Sequence, residues 1–309
     1  MFSTDVTRVK GRNRVDTQLI GQVINGFVVG PNIGVGGMGR VYQAYDAETQ
    51  TPVAIKVLLP EYAEDENFRN RFWREAELMK CLQHPNIIAV YDYGEWYGYL
   101  YIVMQIVRGP SLERIMLHRT FSPLTAWQIV RPVCDALNFG HNRMVLHRDL
   151  KPGNILIEPR GEGNHVFLSD FGLGKRPGLD TTLTAAGVSV GTPEYMAPEV
   201  AMGAPADHRS DLYSLGVMLY ELLLGRLPFE ENNAQMTALA HVDKPVPRPR
   251  TLHSQFPRRL EAVLLQALEK NPSARFQSAE DISLAYYESV KAMDENARRT
   301  SYWLSLPHG

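Results

Sequence analysis

The chain has 309 residues, 44 % hydrophobic and 21 % charged, with a formal net charge of -2 at pH 7. It can bury a large core without a staple, and its size suits two packed lobes better than one small domain. The near-balanced charge argues against a general nucleic-acid binder or a polybasic membrane anchor; two cysteines outside any CxxC pair, Cys81 and Cys134, argue against a disulfide framework or a zinc site.

No apolar run reaches the ~18 residues that a membrane-crossing helix needs. The N-terminal residues are basic but lack the apolar stretch of a secretory signal, so a cytoplasmic location is expected. The end of the chain, at 298–309, reads equally as a natural terminus or as the start of a linker to a membrane anchor.

Residues 1–25 are polar and unpatterned and read as an extension. Strand-like runs follow at 27–30, 40–45 and 53–59, rich in Val, Ile and Tyr and broken by Gly, Asp and Pro. A helix is expected at 65–81, then strands at 87–93 and 99–107. Beyond Gly109 and Pro110 the pattern becomes helical. Ala126, Ile129, Val130, Val133, Ala136 and Leu137 recur at helical spacing behind the cap-like Ser122. Further helices are expected at 211–225, 259–269 and 279–291, with the Pro-rich 245–249 as a surface loop. The chain is strand-rich first and helix-rich second. That order predicts an α+β fold with a small antiparallel-sheet lobe (26–107) carrying one long helix, a larger mainly helical lobe (108–291) and a tail (292–309), with a hinge near 105–109.

Four short stretches carry chemistry. The first is Gly34-Val35-Gly36-Gly37-Met38-Gly39. Glycines let a backbone approach phosphate closely because no Cβ intervenes. A dinucleotide-binding turn needs a helix next, whereas Arg40-Val41-Tyr42 continues as a strand, so the loop joins two strands. The second is Lys56 in the apolar run Val53-Ala54-Ile55-Lys56. A buried ammonium needs a counter-charge. Phe68, Phe72, Glu75 and Met79 fall on one helical face, so Glu75 is an acid on the buried stripe and the expected partner of Lys56, while Glu77 points elsewhere.

The third stretch is His147-Arg148-Asp149-Leu150-Lys151-Pro152-Gly153-Asn154. Its Asp, Lys and Asn can accept a hydroxyl proton, contact a phosphate and hold a metal. The fourth is Asp170-Phe171-Gly172, after the strand-like Val166-Phe167-Leu168, where Asp170 can join Asn154 around magnesium.

In this order, and with Ala197-Pro198-Glu199 downstream, these residues resemble the protein kinase catalytic domain from 26 to about 290. Local phrasing, such as Arg74-Glu75-Ala76, His84-Pro85-Asn86-Ile87 and Lys151-Pro152-Gly153-Asn154, is similar to bacterial serine/threonine kinases of eukaryotic type. The resemblance implies the bilobal kinase fold, ATP with magnesium (or manganese) as cofactor, a protein substrate and a small lobe able to form a homodimer. Position by position it implies Asp149 as base, Lys151 on the moving phosphoryl group, Thr192 bonded to both, and Asn154 and Asp170 on the metal. Lys56 would contact the α- and β-phosphates. Ile33, Gly34, Gly36, Gly37 and Gly39 would line the nucleotide. Val41, Ala54 and Leu156 would sandwich the adenine. Backbone groups of Gln105 and Val107 would meet its edge, with Met104 as gatekeeper. Lys151 and Gly191-Thr192-Pro193-Glu194-Tyr195 favour serine or threonine as acceptor. Asp211 would bond the catalytic-loop backbone, and Glu199 would pair with Arg275.

Gln105 and Arg108 stand where Glu and Asp are common in the family, and 158–165 reads as a long hairpin. Thr181, Thr182 and Thr184 lie in the segment that such kinases phosphorylate; Thr182 and Thr184 are expected to be autophosphorylated, with Arg148 and Lys175 as cationic acceptors. Two other readings share these residues. An ATP-binding scaffold without catalysis would be marked by loss of Lys56, Asp149 or Asp170. A kinase-fold enzyme acting on small molecules need not carry the 191–195 or 197–199 motifs.

Overall fold

The computed structural model describes residues 19–161, 163–172 and 192–303. The chain divides into two compact units. One comprises residues up to Gln83 with Ile88–Val107; the other comprises His84–Ile87 with Arg108 onward.

The first unit is one six-stranded antiparallel sheet with two helices. Its strands are β1 (Val23–Ile24), β2 (Phe27–Gly36), β3 (Gly39–Asp46), β4 (Pro52–Leu58), β5 (Val90–Trp96) and β6 (Tyr99–Gln105), in the order β1-β2-β3-β4-β6-β5. Side chains alternate between faces. Tyr42, Ile55 and Val103 stand opposite one another in register and join Val29, Ala44, Val53, Val57 and Tyr101 in a core beneath the sheet. The intervening residues Val41, Ala54, Lys56, Ile102 and Met104 therefore share the other face.

Two boundaries depart from the sequence expectation. β2 does not stop at residue 30: it runs through the glycine-rich loop, pairing Gly34 with Val41, Val35 with Arg40 and Gly36 with Gly39. Glycines depress strand propensity, but here the ladder to β3 holds the arms in place. Ile87 lies outside β5 and instead makes one parallel bridge to Leu168 in the second unit's own strand set.

The short helix α1 (Pro60–Glu64) starts at a proline, whose fixed φ suits a first turn. The next helix, α2 (Glu66–Lys80), begins at Asp65, whose carboxylate accepts from the N–H groups of Asn67 and Phe68. It packs on β5 through Phe72, which meets Tyr93 edge-on at 6.3 Å between ring centres.

The second unit is mainly helical. It contains α3 (Leu112–Met116), α4 (Pro123–His141), the hairpin β7 (Ile155–Arg160) and β8 (Gly163–Leu168), α5 (Pro198–Ala201), α6 (His208–Leu224), α7 (Ala234–Asp243), α8 (Pro249–Leu252), α9 (Arg258–Ala267), α10 (Ala279–Lys291) and α11 (Glu295–Arg299). α4 starts where the sequence signals it: Ser122 Oγ accepts from the Thr125 N–H. α6 is buried nearly all round, which explains its weak amphipathic pattern, and it ends at Gly225 in the left-handed region, φ 71°. α10 lies on α4, where Trp127 stacks on Tyr286 and the Tyr286 hydroxyl donates to Pro123 O at 3.0 Å. The Pro-rich segment ends in α8 rather than in an open loop.

Residues beyond 291 are not an appendage as far as they are described. The Trp303 indole donates to Leu222 O at 2.7 Å, and Tyr302 is buried against Phe256. Among the described residues, no helix is long and apolar enough to cross a membrane.

Candidate active site

The 147–154 loop hangs from one buried carboxylate. Asp211, in the first turn of α6, is 2 % exposed. Its Oδ2 accepts from the His147 N–H and from His141 Nε2, both at 2.8 Å, and its Oδ1 accepts from the Arg148 N–H at 2.8 Å. Burial acts to raise its pKa, but the His141 hydrogen bond and the neighbouring histidines outweigh that and hold it below the usual carboxylate range. The same grip lets Arg148 adopt φ 65°, a left-handed conformation uncommon for a side chain with a Cβ.

Downstream of this anchor, three side chains converge. Lys151 Nζ lies 2.8 Å from Asp149 Oδ2 and donates to Thr192 Oγ1 at 2.7 Å. Thr192 Oγ1 in turn donates to Asp149 Oδ1 at 3.3 Å. Asn154 Nδ2 donates to the Asp149 carbonyl oxygen at 2.7 Å and to its Oδ2 at 3.2 Å. A carboxylate held by an amide, an ammonium and a hydroxyl stays oriented, which is what a hydroxyl-proton acceptor needs.

The β7–β8 hairpin joins this loop to Asp170. Ile155 pairs with Leu168, so Asn154 and Ser169 stand opposite each other just past the hairpin's open end. Ser169 donates to Asn154 O through its N–H at 2.9 Å and through its Oγ at 3.0 Å. His147 Nε2 bonds Ser169 O at 2.8 Å, while His147 Nδ1 accepts from the Asp149 N–H at 3.3 Å. Asp170 follows with φ 58° and Gly172 with φ 72°. Phe171 is buried against the His147 ring at 5.0 Å between centres. Gly140 leaves it room: a Cβ there would come within 2.6 Å of the Phe171 ring.

Oxygen ligands on magnesium would come from Asn154 and Asp170. With its nitrogen end engaged on Asp149, Asn154 offers its amide oxygen, and Asp170 offers a carboxylate; both are hard donors of the kind magnesium takes. The donor chemistry fits the cation.

In the first unit the sheet register sets the nucleotide candidates. Lys56 is 9 % exposed and stands opposite Val41 on one side and Ile102 on the other; Ala54 stands opposite Met104. Glu75 is half-buried on α2, with buried Phe72, Ala76 and Met79 around it, whereas Glu77 is exposed and accepts from the Tyr93 hydroxyl. Gly39 admits no side chain, since a Cβ would lie 2.2 Å from Val57 O. Gly34, Gly36, Gly37 and Ile33 lie on the exposed or half-exposed arms of the β2–β3 turn. The Gln105 N–H is taken by Ala89 O at 2.8 Å, so an edge contact from Gln105 falls to its carbonyl. Val107 closes this unit, and Leu156 lies on β7 in the second. Arg108, the other hinge departure, donates its N–H to Glu158 Oε1 at 3.0 Å.

Glu199 and Arg275 meet as expected in a bidentate pair, which Ser210 Oγ extends by donating to Glu199 Oε1 at 2.7 Å. Lys175, Thr181, Thr182, Thr184 and Gly191 lie outside the described residues. Several supporting features were missed in sequence: Ser169, Gly140 and His141, which carry no motif, and the bond from Tyr195 to Glu221 (2.5 Å). For Ser169 a signal existed, because counting back from the hairpin register places it opposite Asn154.

This loop, anchored on one aspartate and bringing Asp149, Lys151 and Asn154 together, has the arrangement expected of a protein kinase catalytic loop. Residues 27–287 match the protein kinase domain, and the chain belongs to that family. It is 42 % identical over 279 residues to the serine/threonine-protein kinase pkn3 of Myxococcus xanthus, covering 86 % of this chain and 50 % of that protein. It is 38 % identical to the serine/threonine-protein kinase PrkC of Bacillus subtilis over 91 % of this chain and 43 % of that protein. The chain thus spans about half the length of these relatives, or less. The crystal structure of the Mycobacterium tuberculosis PknI kinase domain superposes with a TM-score of 0.72 at 30 % identity, covering 88 % of this chain and 98 % of that one.

Proposed function

We propose that this chain transfers the γ-phosphate of ATP to serine or threonine hydroxyls of proteins. The observation that carries the reading is the Asp149–Lys151–Thr192 constellation, with Asn154 behind it. Asp149 accepts the acceptor hydroxyl's proton as the new O–P bond forms. The bond between the γ-phosphorus and the β-bridging oxygen breaks, and ADP leaves. Lys151 offsets charge on the phosphoryl oxygens. Bound magnesium, held by Asn154 and Asp170, would supply charge neutralisation at the phosphates. Lys56, oriented by Glu75, contacts the α- and β-phosphates; Ile33, Gly34, Gly36, Gly37 and Gly39 carry the phosphate loop. Val41, Ala54, Met104, Gln105, Val107 and Leu156 hold the base. Most of the rate gain in such chemistry comes from positioning and electrostatic stabilisation.

The serine/threonine assignment draws on the names of the relatives and on Lys151, whose amine sits between Asp149 and Thr192. Autophosphorylation at Thr182 and Thr184, with Arg148 as one cationic partner, extends the same reading. Labelled ATP with a general protein acceptor tests it. Transfer to protein with phosphoserine or phosphothreonine on hydrolysis is expected, together with phosphate mapped to 181–184. Phosphotyrosine alone, or transfer only to small molecules, would overturn it.

A further inference from the structure

The two sides of the β7–β8 hairpin end in the two residues that carry the metal donors, Asn154 and the neighbour of Ser169. Register alone gives one bond there: the Ser169 N–H to Asn154 O at 2.9 Å continues the ladder, and any residue at 169 would make it. The second bond is specific. Ser169 Oγ donates to the same oxygen at 3.0 Å, so both lone pairs of the Asn154 carbonyl are used. On its other side, Ser169 O is bonded at 2.8 Å by His147 Nε2, and His147 Nδ1 accepts from the Asp149 N–H.

We infer that Ser169 is a positioning residue for the metal: its hydroxyl fixes the Asn154 peptide relative to Asp170, and so sets the spacing of the two oxygen donors. This rests on the kinase reading above for what the metal does. The physical case is local. Asp170 sits in a left-handed conformation, which is sustained only if the residues on either side are held. The bonds at Ser169 hold its N-terminal side, and the buried Phe171 holds the other. Alanine at 169 keeps the ladder bond and loses the hydroxyl bond. Threonine keeps both.

The test is an equilibrium titration of ADP with and without magnesium, on the wild type, Ser169→Ala and Ser169→Thr, read by calorimetry. Metal-free ADP should bind all three alike. The tightening that magnesium produces should be about fivefold smaller in Ser169→Ala, the factor carried by one neutral hydrogen bond, and should return in Ser169→Thr. In phosphate transfer, Ser169→Ala should lower kcat and raise the half-saturating magnesium concentration, with acceptor KM unchanged. Equal magnesium gains in wild type and Ser169→Ala would overturn the inference. So would an equal loss for metal-free ADP, because a loosened hairpin would then be responsible. Phosphate transfer by the wild type reports separately on the kinase reading.

Discussion

Arg275 grips Glu199 through two parallel hydrogen bonds, Nη1 to Oε1 at 2.9 Å and Nη2 to Oε2 at 2.7 Å. The arginine side chain is fully buried, and its remaining N–H groups donate to the carbonyls of Glu269, Arg209 and Lys270. It therefore joins the end of the 192–199 segment to the start of α6 and the loop after α9. Every donor of the fork has a use, so lysine cannot replace it.

Removing one partner of a buried pair leaves an uncompensated charge, at a cost of about 3–5 kcal/mol. Arg275→Ala should lower the thermal midpoint by many degrees, and Arg275→Lys should recover only part. Differential scanning calorimetry checks both.

Asp149→Asn should keep the loop's shape, since the amide is the same size, yet remove the proton acceptor. Phosphate transfer should fall by roughly 100- to 10,000-fold, as when a general base is lost, while ADP binding stays near that of the wild type. Paired kinetic and calorimetric measurements check this. A variant with substantial remaining activity would mean that another group takes the proton.

Gly140 has no room for a side chain: an added Cβ would meet the Phe171 ring at 2.6 Å and Val145 O at 3.1 Å. Gly140→Ala should cost about 1–3 kcal/mol, the usual range for overpacking. It should also lower kcat, because the ring that shifts adjoins Asp170. Denaturant unfolding and steady-state kinetics read the two effects.

Glu221 gives a pH dependence of definite sign. Its burial, together with the charges of Glu113, Glu230 and Glu194, raises its pKa from 4.5 to about 7, although the hydrogen bond from Tyr195 acts the other way. The folded state thus holds a proton that the unfolded state releases. This contribution to stability is full below about 4.5 and is lost as pH rises to about 7. Glu221→Gln has no such proton to lose. Relative to the wild type it should gain on the order of 3 kcal/mol between those limits and no more above them. Urea unfolding at a series of pH values checks the slope.

The candidate catalytic residues were legible because each sits in a contiguous motif, where chain order and spatial order coincide. Asp149, Lys151 and Asn154 lie within five residues of one another on one loop, and Asp170 follows a single hairpin. Glu75 was legible for a different reason, helical periodicity, which put an acid on an apolar stripe. What escaped depends on contacts distant in sequence. The His141–Asp211 bond spans 70 residues, and the fit of Gly140 to Phe171 appears only once α4 and the hairpin are packed. The strand through the glycine loop was missed because its ladder outweighs its composition. α6 was expected at 211–225, and the structure starts it three residues earlier, at His208.

Trp303 lies against Gly225, where a Cβ would come within 2.7 Å of its ring, and its indole bonds the last turn of α6. The protein kinase domain match ends at residue 287, inside α10, sixteen residues earlier. A recombinant fragment trimmed to that boundary would sever a helix and uncover Phe121, Phe256 and the end of α6 at once. The stretch that folds is longer than the stretch that the domain match covers, and expression trials should be planned on the former.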